Sequence, residues 1–326
     1  MKAMLVDENK NLVWSEVENP AIKDDEVLVK IHAAALNRAD LLQRQGKYPS
    51  PEGCPEWMGL EIAGVIVETG KNVADLKIGD KVCALLGGGG YSEYVAVKYD
   101  MLMPIPDGLT MIEASALPEA YATSYLNLFI EGHLTKGQTA FIPAGASGLA
   151  SVAIPMAKAF GARVITSVLS DEIAEKISDL GADVIINSST QNVEEILENE
   201  ERNGTPVNVS MDCLSGETLG KSLPYMARGG YWIVISTLAG TETNVSLRPL
   251  LTKGLHLVGS MLRNRTPKFK AFILSELVEK VWPKIESGEI KPSVYKVLNI
   301  EQAEEAHGIL ERGENIGKVV LKVCDE

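Results

Sequence analysis

The stretch Thr139 to Ser151, TAFIPAGASGLAS, has the clearest chemical use of any in this sequence. Its apolar start, Ala140-Phe141-Ile142, reads as a buried strand. Ala144-Gly145-Ala146-Ser147-Gly148 follows as a tight turn, and Leu149 to Phe160 then shows helical apolar spacing. Strand, glycine turn and helix make a cradle for phosphate. Gly145 and Gly148 can bend sharply and let backbone N–H groups, including those of Ala146, Ser147 and Leu149, approach a pyrophosphate. The start of the following helix adds partial positive charge. Ala150 stands where a dinucleotide fingerprint usually ends in glycine, and is small enough for close helix-on-strand packing. An ordinary strand-to-helix connection would look the same, so the flanks decide.

The flanks repeat the pattern. Arg163 to Val168 is predicted as a second strand, Asp171 to Leu180 as a helix, and Gly181 to Ile186 as a third strand entered through a helix-ending glycine. Strands at Val207 to Cys213 and Tyr231 to Ser236, with a sixth at Leu255 to Gly259, extend the series. The expected fold class is α/β, with a Rossmann-type doubly wound parallel sheet.

Residues 1 to 118 read differently. Short alternating segments at Lys2 to Val6, Val27 to Ala34, Ile62 to Thr69, Lys81 to Ala84 and Tyr94 to Val97 are divided by turn signals, among them Gly87 to Gly90. This is a mostly β, barrel-like unit. Pro118 to His133 is expected to begin a connecting helix. Near the C-terminus, Pro267 to Ile285 reads as one amphipathic helix, Ser293 to Leu298 as a strand, Ile300 to Arg312 as a helix and Gly317 to Val323 as a final strand. A tail that returns to β structure should complete the first domain. The predicted division is therefore 1–118 with 263–326 as the β domain and 119–262 as the nucleotide domain, with a small substrate expected in the cleft between them.

Composition sets the bounds. A chain of 326 residues, 45% apolar and 23% charged, exceeds one comfortable core. Its formal net charge of −13 argues against nucleic acid or an anionic membrane as partner. No apolar run approaches the ~20 residues that span a bilayer, and the N-terminus MKAMLVDENK does not read as a signal peptide, so a cytoplasmic protein is expected. The four cysteines, Cys54, Cys83, Cys213 and Cys324, lie far apart without a CxxC pair, which suggests neither a disulfide framework nor a thiolate metal site.

Several stretches taken together resemble the zinc-free quinone oxidoreductases, the zeta-crystallin-like branch of the medium-chain dehydrogenase/reductase family. They are AAALNRADLLQRQGKYPSP at 33–51, GLEIAGVIVETG at 59–70, IGDKV at 78–82, GGGGYSEYV at 87–95, PEAYATSYLNL at 118–128, GSMLRNR at 259–265 and ENIGKVVL at 314–321. The resemblance runs almost end to end. It implies a GroES-like β domain carrying both termini, a Rossmann domain inserted in it, and NADPH as hydride donor, with NADH possible. In zinc-dependent relatives a cysteine ligand stands where this chain has Asn37, and a His-Glu pair where it has Leu60-Glu61. An Asn amide with a Leu cannot supply the three protein donors that a catalytic zinc requires.

The resemblance also implies site residues. Asn37 and Tyr48 match positions beside the nicotinamide and substrate, where they would position the acceptor and hydrogen-bond to it, Tyr48 being also a candidate proton donor. A turn-forming Asn and a loop aromatic are the plainer readings. Thr123 matches a threonine near the nicotinamide carboxamide, though helix capping would also suit it. Leu262 and Asn315 match residues on the far side of the nicotinamide, while Gly230, Ser236 and Thr237 are placed at the carboxyl end of the fifth strand, where such sheets bind ligands. The segment after the second strand, from Ser167 through Ser170 to Asp171, Glu172 and Ile173, departs from the family. Ser170 could bond a phosphate, but the usual lysine is absent and two acids adjoin.

Reduction of a quinone by NADPH is the leading expectation. Reduction of conjugated carbonyls or enoyl thioesters, and a non-catalytic NADPH-binding role, stay open. A homodimer paired through the Leu255 to Met261 edge is expected from the same resemblance.

Overall fold

A computed structural model of the chain describes residues 1–325. It divides into two compact units, Met1–Ala122 with Arg265–Glu326, and Thr123–Asn264.

In the first unit β1 (Lys2–Val6) and β2 (Leu12–Glu16) form an antiparallel hairpin. The larger sheet is built on β3 (Glu26–Ala35), which pairs with β4 (Glu61–Thr69) and with β6 (Tyr94–Lys98). Beyond β4 lie β5 (Lys81–Leu85) and β7 (Leu102–Pro104). A short helix, α1 (Arg38–Arg44), leaves the end of β3. Then α2 (Met111–Ser115) and α3 (Pro118–Tyr125) carry the chain towards the second unit.

After α3 the helix widens to π geometry over Leu126–Glu131. A local cause is visible: the Asn127 side-chain amide donates to the Thr123 carbonyl at 2.7 Å, the acceptor that the Asn127 backbone would use in a regular helix.

The second unit holds β8 (Thr139–Ile142), β9 (Arg163–Val168), β10 (Val184–Asn187), β11 (Val207–Asp212), β12 (Met226–Val234) and β13 (His256–Gly259). All pairings are parallel, in the order β10-β9-β8-β11-β12-β13. The helices are α4 (Ala150–Ala159), α5 (Asp171–Lys176), α6 (Val193–Arg202), α7 (Gly216–Ser222) and α8 (Leu247–Lys253). Strand alternation sends Ala140 and Ile142 into one core with Ala150, Ala153 and Ala157 of α4, and Phe141 into another with Leu197 and Leu219. Both faces of the sheet are therefore covered, as parallel strands require.

Returning to the first unit, α9 (Pro267–Lys280) and α10 (Trp282–Glu286) precede β14 (Val294–Asn299), α11 (Ala303–Arg312) and β15 (Lys318–Lys322). The single helix predicted over Pro267 to Ile285 is thus two. Pro283 lacks the N–H that an unbroken helix needs, and the chain restarts around it. Similarly the helix predicted from Asp171 to Leu180 tightens to a 3₁₀ turn at Ser178–Leu180 before left-handed Gly181. β15 pairs antiparallel with β3, Val320 opposite Ala35, so the tail does complete the first sheet.

Candidate active site

The turn between β8 and α4 brings Gly145, Ala146, Ser147, Gly148 and Leu149 together. Its sharp bend is taken by Ala144, at φ 57°, and not by the glycines. Gly145 is needed for space. A Cβ there would stand 2.5 Å from Thr166 Oγ1 and 2.8 Å from Ile177 Cδ1, so any side chain would push the turn off β9. The Gly145 N–H donates to the Ser167 carbonyl at 2.8 Å, which ties the turn to the carboxyl end of β9. The Ser147 hydroxyl accepts from the Ala150 N–H at 3.1 Å and opens the helix. Among the described residues the amides of Ala146, Gly148 and Leu149 have no protein partner. Three such amides beside the N-terminus of a ten-residue helix fit a pyrophosphate.

Ser170 and Asp171 follow β9. The Ser170 hydroxyl accepts from the Ile173 N–H at 3.2 Å as the cap of α5, and Asp171 accepts from the Asn187 side-chain amide at 2.8 Å. A carboxylate held at this strand end suits a ribose hydroxyl better than a phosphate. Ser236, whose carbonyl accepts from the Ser215 hydroxyl at 2.8 Å, and exposed Thr237 lie just past β12. Gly230 does not join them. It lies inside β12, four residues before its end, next to Asn208 at the start of β11. Leu262 is buried, and Thr123 is half-buried.

In the first unit Asn37 is the N-cap of α1, with Asp40 at the third helical position. Around it stands a buried polar network that sequence reasoning did not anticipate. The Asn37 Nδ2 donates to Glu61 Oε1 at 2.9 Å, and Lys318 Nζ donates to Asn37 Oδ1 at 2.7 Å. Lys318 also donates to the Leu36 carbonyl and pairs with Glu61 Oε1, each at 2.7 Å. Glu61 Oε2 accepts from the Glu119 N–H at 2.8 Å. Glu61 is fully buried and Lys318 is 4% exposed, so this is a desolvated ion pair with every polar atom answered.

Asp40 extends the network. It accepts from the Asn37 N–H at 2.8 Å, the Gly59 N–H at 3.1 Å and the Tyr91 hydroxyl at 3.1 Å. Glycine is required at Gly59, where φ is 104° and a Cβ would lie 2.5 Å from the Gly90 Cα. That close approach explains part of the Gly87 to Gly90 run. Burial pushes the Asp40 carboxyl up to about 6 against these hydrogen bonds and the Lys318 charge. Burial and the neighbouring Glu61 push Glu119 up to about 7. Tyr48 is half-buried, four residues after α1, and the Asn315 side chain donates to the Gly317 carbonyl at 2.8 Å beside Lys318 in sequence.

One signal for this network was present. Asn37-x-x-Asp40 is a capping pattern that marks the start of α1. Lys318 gave none, since a lysine opening an apolar strand reads as solvated.

Residues 23–107 match the alcohol dehydrogenase GroES-like domain, and residues 148–279 match the zinc-binding dehydrogenase family. A quinone oxidoreductase-like protein 2 homolog from Nematostella vectensis is 31% identical over 300 residues, which cover 91% of this chain and 81% of that one. The chain belongs to the medium-chain dehydrogenase/reductase family. Another relative, the 2-methylene-furan-3-one reductase of Solanum lycopersicum, is 32% identical over 321 residues, covering 94% of this chain and 74% of its own. A mycobacterial protein solved in complex with NADPH superposes with a TM-score of 0.84 at 25% identity, over 99% of this chain and 100% of that one. The chain is thus an oxidoreductase of this family, one that binds a nicotinamide cofactor and acts on a small molecule. Among the described residues no group of three or more His, Cys, Asp or Glu side chains is placed to hold a metal ion, and no helix is long and apolar enough to cross a membrane.

Proposed function

We propose that this family member is an NADPH-dependent quinone oxidoreductase that works without zinc. The observation that carries the proposal is the state of Asn37. Where zinc-dependent relatives have a ligand, this chain has an amide locked to Glu61 and Lys318, with Leu60 buried beside them. Neither Asn37 nor Leu60 is a zinc donor, and Glu61 already accepts two hydrogen bonds and pairs with Lys318.

The β8–α4 turn holds the pyrophosphate through the amides of Ala146, Gly148 and Leu149. Thr123, Leu262, Asn315, Ser236 and Thr237 contact the nicotinamide half, while Ser167 and Ser170 stand near the adenosine. When bound, the dinucleotide supplies the hydride. Asn37 donates a hydrogen bond to an acceptor oxygen and stabilises the negative charge that grows there, and Tyr48 is the candidate donor of the proton that completes the hydroquinone. NADPH use is supported by the mycobacterial neighbour, and Asp171 keeps NADH in play. The four free thiols suit a cytoplasmic setting.

Oxidation of NADPH by 1,2-naphthoquinone, followed at the nicotinamide absorbance against a panel of enals and enones, tests the reading. Asn37→Ala and Tyr48→Phe should each lower kcat by about tenfold or more while cofactor affinity stays. Turnover of conjugated carbonyls alone would replace it with the second reading, enone reduction, which the 32% identity to the tomato reductase favours. Tight cofactor binding with no acceptor turned over would point to a binding protein.

We also propose a homodimer. β13 has one sheet neighbour, β12, and Leu257 and Met261 at this edge are exposed. A monomer in sedimentation velocity would overturn that.

A further inference from the structure

We propose that Lys318 is the positioning residue of this site, one that orients and polarises the Asn37 amide so that a single N–H remains to meet a substrate oxygen. The inference rests on the role proposed for Asn37.

The chemistry of the partners fixes which end of the amide is which. An ammonium only donates, so the atom facing Lys318 is Oδ1, and a carboxylate only accepts, so the atom facing Glu61 is Nδ2. Lys318 Nζ and Asn37 Nδ2 both meet the same oxygen, Glu61 Oε1. The three groups therefore close a ring along one edge of the planar amide. Only the Nδ2 proton on the same side as Oδ1 can take part in such a ring. The other proton is directed away from it, on the side of the Asn37 Cβ.

Lys318 donates to Leu36 O and Asn37 Oδ1, and its ammonium is paired with Glu61 Oε1 at 2.7 Å. Glu61 receives Asn37 and Lys318 on one oxygen and the Glu119 N–H on the other. Among the described residues Asn37 Nδ2 has one partner, Glu61, and Asn37 is half-buried while Glu61 and Lys318 are buried, so Asn37 is the side chain of the three placed to offer a donor. Lys318 acts through it in two ways. It prevents a 180° flip that would present Oδ1 in place of the N–H, and its charge on Oδ1 draws electron density from the amide, which strengthens the remaining donor.

Removing Lys318 alone would strand the Glu61 charge, so the test uses the neutral pair Lys318→Met with Glu61→Gln. With 1,2-naphthoquinone and saturating NADPH, this variant should lose roughly tenfold in kcat, with NADPH affinity by fluorescence within about twofold of the parent. Adding the pair to Asn37→Ala should cost less than about twofold more, since the amide through which Lys318 acts is already gone. Full, multiplicative losses would overturn the inference and make the cluster merely structural. A second measurement needs no altered charge pair. Of the Asn37 side-chain NH₂ protons, identified by their loss in Asn37→Ala, the one bonded to Glu61 should exchange slowly in the unaltered protein, and fast exchange of both would also overturn it. Should Asn37→Ala leave every activity intact, the functional reading of Asn37 fails. Should it slow reduction while the neutral pair does not, the role of Lys318 alone fails.

Discussion

His307, on α11, is fully buried, and neither ring nitrogen has a hydrogen-bond partner among the described residues. Its ring meets the edge of Tyr91 with centroids 6.0 Å apart. Burial, with a small contribution from Arg44, lowers its pKa from 6.5 to about 3, so the folded protein holds a neutral imidazole across the accessible pH range. The sign follows. A base whose folded pKa is depressed contributes stability in full above its unfolded value of 6.5, and that stability is lost as pH falls towards 3. Because the unfolded chain takes up the proton and the folded chain does not, the loss from pH 8 to pH 5 is about 2 kcal/mol, whether the folded value is 3 or 4. His307→Leu removes both this term and the orphaned N–H, which itself costs about 1–3 kcal/mol, against a lost ring contact of about 0.5–1 kcal/mol. The variant should match or exceed the parent at pH 8, and its advantage should widen at pH 5 by about 2 kcal/mol, or about 4–8 °C in the melting of a unit this size. Asp40 titrates in the same range but is present in both proteins and cancels in the difference. Parallel loss of stability in the two proteins from pH 8 to 5 would refute the reasoning, and would mean that the imidazole finds water or a partner when it charges.

Gly145→Ala places a Cβ against Thr166 Oγ1 and Ile177, so cofactor affinity should fall by about tenfold or more, as titration of nicotinamide fluorescence will read; unchanged affinity would remove the turn from the site. Asp40 has a folded pKa of about 6 against 3.8 unfolded, so its contribution is whole below pH 3.8 and is lost as pH rises through 6. Asp40→Asn should flatten unfolding free energy between pH 4 and 7, and an unaltered slope would assign the titration elsewhere. Asp171→Ala takes a carboxylate from the end of β9, and should raise the ratio of kcat/KM for NADPH over NADH by about 3- to 10-fold. No change in that ratio would place Asp171 away from the adenosine.

What could be read from the sequence and what could not divide along a physical line. Strands such as β1 and β5 announce themselves as short apolar runs between turn signals, and the β8–α4 turn through a glycine pattern within a dozen residues, because the forces that shape them act between near neighbours. Even there the reading of Gly145 needed revision. A glycine in a turn suggests freedom of φ, yet here Ala144 makes the bend, and Gly145 is required by the side chain of Thr166 from the next strand. The break between α9 and α10 was marked by Pro283, which outweighs apolar spacing because a missing N–H cannot be supplied by packing.

The network around Asn37 was hidden for a different reason. Glu61 lies 24 residues from Asn37, and Lys318 lies 281 residues away, brought in only when β15 pairs with β3. Read locally, Glu61 is the remnant of a lost metal site, Lys318 a charge at a strand end, and Asn37 a turn residue. Asn37 does cap α1, as its plain reading has it, but the plain readings of the two charges fail for one cause, since neither can be buried without the other. A buried carboxylate demands a cation, the cation demands acceptors for all its protons, and the amide satisfies one of each. On the proposed reading of Asn37, the position where zinc-dependent relatives have a ligand keeps an electrostatic function with a different group, an ammonium polarising an amide where a metal would polarise a substrate.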